Sequence, residues 1–249
     1  MNKIQTAAQL LCQARRSGDQ IERLPEACRP QTLDEALLIQ EEVSRLQAAE
    51  GEGIAGWKCL LPSEGRVVVA PIYQSLAFQN GTCSLAPLNN AAAIEPELAF
   101  VFSETLAPRE TPYSEEEVYA AIGEVRMALE LIRGRYRDPD SCQFPELLAD
   151  GLFNQGIYLG PVVSESPADF PIQVEHSDEN IRLDGHHPNA DARVALPWLV
   201  NFLNERGYGI EAGQAVITGS YAGVINVPFT QITVRYGDFG TMTVDVKPS

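Results

Sequence analysis

Histidine is scarce in this chain: three occur in 249 residues, and none lies before residue 176. No serine–histidine–acid arrangement stands out among them. His186 and His187 are adjacent in a stretch that reads as loop, where neighbouring residues rarely ligate one ion together. Basic residues are also few. The formal net charge is −16, which argues against nucleic-acid and anionic-membrane partners, since both need basic patches. No run of 18 or more uncharged apolar residues occurs, so no transmembrane helix is expected. The opening Met1-Asn2-Lys3-Ile4-Gln5-Thr6 lacks a signal-peptide pattern, and a cytoplasmic location is expected. Cys12, Cys28, Cys59, Cys83 and Cys142 are scattered and odd in number, with no zinc-site spacing. They read as reduced thiols. Internal repeats, low-complexity segments and long linkers are absent.

What remains is an ordinary globular composition, 45% apolar and 21% charged, in a chain long enough for one large domain or a small domain plus a core domain. Residues 4–16 carry an Ala/Leu-rich helical pattern that stops at Ser17-Gly18-Asp19. Thr32 and Glu35 form a capping-box pattern before a helix reaching about Ala49, with Gly51 and Gly53 ending it. From Ile54 the texture changes to short strands at 54–61, 65–70, 97–102 and 156–163. Ser114 with the acids at 115–117 starts a helix towards Ile122, the acids suiting its N-terminal dipole. Residues 125–133 fit a strand or a helix equally well. A strong helix is expected over 195–206, with Pro197 tolerated in its first turn. Residues 215–220 read as a short strand entering a loop, and 231–236 and 241–246 as a hairpin. The expected class is α+β: a helical N-terminal portion over 1–53, then a β-rich catalytic domain over 54–249.

The chemistry points to three glutamates set among apolar residues. Residues 91–102 are apolar except for Glu95, Pro96 and Glu97; residues 127–132 are apolar except for Glu130. Carboxylates are rarely buried without a partner, because losing hydration costs several kcal/mol per ion. In an extended strand Glu95 and Glu97 project side by side and repel unless something positive lies between them. Neither run offers a lysine or arginine between its acids. A hard divalent cation such as Mg²⁺ or Mn²⁺ suits oxygen ligands, and Glu130 makes a third. Two plainer readings stay open: a solvated strand end with Pro96 marking a sheet edge, and Glu130 on the wet face of a helix.

Taken in order, these residues resemble a known family. Gly56-Trp57-Lys58, Ile94 to Val101 with its Glu-x-Glu, Ala128 to Ile132, Trp198 to Asn201 and Ile217 to Ser220 are similar to the 2-keto-4-pentenoate hydratase and 4-oxalocrotonate decarboxylase family. That family lies within the fumarylacetoacetate hydrolase superfamily. The resemblance spans nearly the whole chain and implies a mixed β-roll fold. It implies that Glu95, Glu97 and Glu130 hold Mg²⁺ or Mn²⁺, and that a short 2-oxo acid chelates the ion through its keto and carboxylate oxygens. Lys58 would sit beside the substrate as an ammonium or as an acid/base. Gly219 and Ser220 would offer backbone N–H and hydroxyl donors to the substrate carboxylate, with Leu98 also in the substrate-binding set. A homo-oligomer, and a complex with a related lyase, are implied as well. Read without the resemblance, Lys58 is a strand-end surface lysine, and Gly219-Ser220 an ordinary turn.

The chain also departs from the family. Where an acid thought to assist proton transfer is expected, Pro71 to Leu76 places Ile72. Tyr73 then becomes a candidate donor, with a core aromatic as its alternative. The superfamily's hydrolases use an early histidine that is missing here, which argues against hydrolysis. His187, in a stretch resembling the family's Gly-x-His-Pro, reads as shaping the entry to the late helix, a proton shuttle being the alternative. His176, beside Asp178 and Glu179, reads as solvated. Three functions follow: a metal-dependent hydratase of 2-hydroxydienoic acids first, a decarboxylase of 2-oxo-enedioates second, and a non-catalytic partner subunit third.

Overall fold

The computed structural model describes residues 2–177 and 179–249. In chain order the elements are α1 (Lys3–Ser17), α2 (Leu33–Ala48), β1 (Ile54–Ser63), β2 (Arg66–Tyr73), β3 (Ala77–Phe78), β4 (Thr82–Leu85), β5 (Ala92–Phe102), α3 (Glu115–Ala120), β6 (Ile122–Ile132), α4 (Phe144–Ala149), β7 (Asn154–Val163), β8 (Asp169–His176), β9 (Glu179–His186), α5 (Ala195–Glu205), β10 (Ala215–Ile217), β11 (Ile225–Val227), β12 (Gln231–Tyr236) and β13 (Gly240–Pro248). The class is α+β. No helix among the described residues is long and apolar enough to cross a membrane.

Local chemistry sets the helix ends. Asn2 and Gln5 form a reciprocal capping box on α1, and Gly18 closes the helix in the left-handed conformation at φ 71°. Thr32 caps α2 by accepting from Glu35 N–H at 3.2 Å, but the Glu35 carboxylate takes the Gln31 N–H at 2.8 Å. Only half of the expected box therefore forms. Ser114 and Glu117 complete the box on α3, which ends two residues before Ile122. From there the chain enters β6, so the ambiguous stretch 125–133 is strand up to Ile132.

Two sheets result. The larger runs β2-β1-β10-β5-β6-β7-β3, with β11 adding to β5 at the end β10 leaves free; the smaller runs β4-β13-β12-β8-β9. The β8–β9 pair was not expected, although the buried Phe170, Ile172 and Val174 alternate with the more exposed Asp169, Pro171, Gln173 and Glu175. His176 closes β8 with its side chain 6% exposed and its Nε2 3.6 Å from Glu179. It is buried, contrary to the solvated reading; its other neighbour in that reading, Asp178, lies outside the described residues.

The larger sheet is covered on its outer face by two cores. Helices α1, α2 and α5 pack over Trp57, Cys59, Phe100, Phe102 and Val216. The smaller sheet packs its Ile232, Val234, Tyr236 and Val244 over Leu98, Met127 and Leu129. Cross-strand register then assigns the inner face. Ile72, Gly56 and Ala215 share one row, Lys58, Ile217 and Ala99 the next, and Glu97 with Ala128 and Glu95 with Glu130 follow. Ile72, Ala99, Ala128, Ile157, Ala215 and Ile217 fill this inner face as a small apolar layer, and the charged residues sit at one end of it.

Candidate metal and substrate site

Glu95, Glu97 and Glu130 each bring a carboxylate oxygen to within 4.8 Å of the others. Glu97 and Glu130 are 2% and 1% exposed, while Glu95 is half-buried and leaves the cluster an open side. Pro96 between them does not mark an edge, since β5 is central in the sheet. Strand β10 pairs with Ala99–Val101 and β11 with Ala92–Ile94, so on that side of β5 no strand lies opposite Pro96, while β6 pairs it with Leu129 on the other. In that gap the loop after β10 crosses over, and Tyr221 N–H donates to the Pro96 carbonyl at 2.9 Å. Proline's missing N–H therefore costs no ladder bond.

Lys58 is not on the surface. Its side chain is 14% exposed, and Nζ donates to Glu130 Oε1 at 2.7 Å and to the Leu152 carbonyl at 3.2 Å. Asn154 Nδ2 donates to the same Glu130 oxygen at 2.8 Å. Asn154 and the Leu152 carbonyl were not anticipated; an asparagine opening a strand carries no distinguishing spacing. Both belong to a turn in which Gly151, Leu152 and Phe153 all have positive φ, of 86°, 51° and 67°. Backbone strain of this kind costs about 1–3 kcal/mol per non-glycine residue and persists where the surroundings over-determine it. Here Arg135 spans the turn. Its guanidinium donates to both the carboxylate and the carbonyl of Asp150, and to the Asn154 carbonyl at 2.8 Å.

Gly219 and Ser220 lie beside the cluster, but their donors are engaged within the protein. Gly219 N–H donates to Glu97 Oε2 at 2.9 Å. Ser220 Oγ accepts from Gly223 N–H at 2.9 Å and ties its own turn. In this arrangement Gly219 N–H holds a candidate ligand, Glu97. Its φ of 137° and a would-be Cβ 2.8 Å from Pro188 Cγ explain the glycine. Strand parity turns the side chains of Tyr73 and Leu98 away from the cluster. Tyr73 faces the helices, with its hydroxyl 3.1 Å from Ser44 Oγ and its ring in the core with Trp57 and Val69; burial raises its pKa. Leu98 points to the opposite face from Glu97, into the core with Met127 and Leu129, so its side chain does not line the site. Ile72 does share the Lys58 face and is fully buried there. His187 is buried against the Tyr221 ring, centroids 5.1 Å apart, with Nε2 3.4 Å from Thr218 Oγ1. Burial lowers its pKa, leaving a neutral ring that supports the loop carrying Gly219.

The electrostatics are those of a site one cation short. Burial, then the Glu130 charge, lifts Glu95 to about 6 and Glu97 well above the usual carboxylate range. Burial by itself lowers Lys58, but Glu130, then Glu97 and Glu95, outweigh it and hold the ammonium above the ordinary lysine value. Three carboxylates face one ammonium. All the acid donors are hard oxygens, so a divalent cation of the Mg²⁺ or Mn²⁺ type fits the charge and the donor set.

Comparison with known proteins agrees with this geometry at two levels. The fold is that of 4-oxalocrotonate decarboxylase from Pseudomonas putida G7, a structure complexed with magnesium and adipate: TM-score 0.80 at 21% identity, covering 99% of this chain and 97% of that one. A 2-hydroxyhepta-2,4-diene-1,7-dioate isomerase from Mycobacterium marinum aligns more loosely, with TM-score 0.53 at 17% identity over 79% of this chain and 76% of the other. In sequence the chain is 28% identical to 2-oxo-hept-4-ene-1,7-dioate hydratase of Escherichia coli, over 94% of this chain and 93% of the relative. It is 26% identical to 2-keto-4-pentenoate hydratase of Paraburkholderia phymatum, over 91% and 90%. No protein-family model matches the chain. The resemblance read from the motifs thus extends to whole-length similarity with the hydratases and to the fold of the decarboxylase.

Proposed function

We propose that the protein is a divalent-metal-dependent lyase of short 2-oxo or 2-hydroxydienoic acids, and first a hydratase of the 2-keto-4-pentenoate type. One observation carries the reading: the carboxylates of Glu95, Glu97 and Glu130 converge with the Lys58 ammonium in contact, on a chain similar end to end to hydratases. A divalent cation held by the three carboxylates supplies Lewis acidity towards the keto and carboxylate oxygens of such an acid.

The chain's own residues do the rest. Asn154 and Lys58 hold Glu130 in one orientation, and Gly219 N–H holds Glu97. Lys58, kept protonated by its neighbours, presents a positive charge and a proton at Nζ beside the open, Glu95 side of the cluster. It serves as donor in the proton transfer to carbon that precedes addition of water. The buried apolar layer below excludes bulk water from the inner face.

Decarboxylation of a 2-oxo-enedioate is the second reading, favoured by Ile72. A buried apolar side chain at the position expected for an acid offers no guidance to water, whereas loss of CO₂ leaves an electron pair beside the Lys58 ammonium, and a cation held by the three carboxylates would supply Lewis acidity there. Turnover of 2-hydroxypenta-2,4-dienoate, followed by loss of dienoate absorbance with and without Mn²⁺, tests the first reading. CO₂ release from a 2-oxo-enedioate tests the second. Turnover of neither in the presence of Mn²⁺ rejects both and leaves the non-catalytic partner. A homo-oligomeric, cytoplasmic enzyme with a catalytic domain over 54–249 belongs to the same proposal. Light scattering reports the oligomer.

A further inference from the structure

The turn that carries Leu152 and Asn154 borders a second charged region of opposite sign. A cavity of about 290 Å³ is lined by Arg15, Arg16, Arg133, Arg135, Gln155 and Ser249, among others. On a chain of net charge −16 this gathering of guanidinium groups is conspicuous, and not all of them meet a carboxylate directly, although Asp19 acts on Arg133 from a distance. Asp150 is the buried carboxylate of the group, 2% exposed, and Arg135 takes it at 2.5 Å. Arg15 reaches the same carboxylate only at 3.8 Å. Arg16 pairs with Glu50 at 2.5 Å on the surface, where both are about half exposed. Arg133 has no carboxylate within ion-pair distance among the described residues, and its Nη1 rests on the Gly18 carbonyl at 2.7 Å. Arg135 and Arg15 therefore share one acid, and Arg133 has none within ion-pair distance among the described residues.

The hydrogen bonding is incomplete in the same place. The N–H donors Arg15 Nε and Arg133 Nε are buried without partners. Buried polar groups of a finished structural network are normally satisfied, and buried charge without a counter-ion costs several kcal/mol. Burial lowers the Arg133 pKa and takes Arg135 down to about 10, the direction expected of cations short of a counter-charge.

We propose that this cavity is a binding site for a small oxyanion, a carboxylate or a phosphate, separate from the metal and substrate site. Guanidinium groups suit such ligands because their forked N–H donors match two oxygens at once. The volume is that of a small ligand, at the lower end for organic molecules. The site is connected to the reaction centre through one atom: Arg15 Nη2 donates to the Asp150 carbonyl at 2.6 Å, and Arg135 donates to it too. That carbonyl opens the strained turn whose Leu152 oxygen holds Lys58. An anion drawing on Arg15 and Arg135 therefore acts on the position of Lys58 as an effector.

The test is thermal melting in the Glu97→Gln background with EDTA, so that chelation at the carboxylate cluster plays no part. Inorganic phosphate and succinate are titrated in separate arms at constant ionic strength, with NaCl as the control. One of them should raise Tm saturably, by about 3 °C at roughly ten times its dissociation constant, and the arm that responds identifies the ligand class. Adding Arg133→Met should weaken the response at least about tenfold, with partial recovery in Arg133→Lys. If Arg133→Met does not fold, Arg16→Met on the half-exposed rim carries the same comparison. An equal response in the arginine variants, or a NaCl response as large as that of both anions, overturns the proposal.

Discussion

Lys58 and Glu130 stand on strands separated by two others in the sheet order, β10 and β5, yet Nζ and Oε1 meet at 2.7 Å. A flat sheet spaces strands about 4.8 Å apart, which puts these two strands about 14 Å from each other. Strong curl of the sheet about its inner face closes that distance and creates the site. Both partners are nearly excluded from water, so the contact is a buried ion pair with two further acids against it. The predictions follow from that imbalance.

Glu97→Gln removes a buried carboxylate whose donor in the protein is a single backbone N–H. The metal-free variant should be more stable than wild type by about 1–3 kcal/mol, or several degrees in Tm. The gain that wild type shows with Mg²⁺ or Mn²⁺ should largely vanish. Equal metal-induced shifts in the two proteins would remove the cluster from consideration as a metal site.

The pH dependence of the metal-free protein follows from Glu95, whose pKa rises from 4.5 to about 6 on folding. The fold binds this proton more tightly than the unfolded chain does. Its contribution to stability is therefore fully present below pH 4.5 and is lost as pH rises through about 6. Metal binding needs the carboxylate, so the Mg²⁺-induced Tm gain should be small at pH 5 and full at pH 7. Melting of Glu95→Gln across the same range should lack this component; an unchanged profile contradicts the assignment.

Lys58→Met deletes the only ammonium in contact with the cluster among the described residues. Turnover should fall at least about a hundredfold, the scale of a proton-transfer group, while the metal-induced Tm shift persists because all three carboxylates remain. Near-normal turnover would reduce Lys58 to a structural counter-charge.

Tyr73→Phe separates the core aromatic from the catalytic donor. The hydroxyl bonds Ser44 on the helical side, so its loss should cost about 1 kcal/mol of stability and leave kcat unchanged. A fall in kcat beyond threefold, with KM unaltered, would return Tyr73 to the reaction.

Ile72→Asp tests whether an acid can simply be restored. The side chain is fully buried among Ala99, Ala128, Ile157, Ala215 and Ile217, so a carboxylate there lacks both water and donors. A stability loss of several kcal/mol is expected, seen as a drop in Tm of roughly 6 °C or more, with no gain in hydration of 2-hydroxypenta-2,4-dienoate. A stable variant with faster hydration would show that the inner layer opens around residue 72.

Much of this was legible in the chain itself. Acids two apart in an apolar run must share a strand face, and their burial must be compensated; both conclusions need only local periodicity and the cost of desolvation. Helix ends at Gly18, Thr32 and Ser114 were likewise written in capping chemistry. Tertiary structure alone decided the rest. Period-2 alternation says that Ile72 and Tyr73, or Glu97 and Leu98, face opposite ways, but not which of each pair faces the site. That choice is made by the helices and the smaller sheet, which cover the outer face and leave the other to enclose Lys58. The partners of the site came from far along the chain: Asn154 to Glu130, Gly219 to Glu97, and Arg135 across a strained turn to the carbonyl neighbourhood of Lys58. Their residue types are ordinary in loops and strand starts, and only the curl of the sheet gives them their positions.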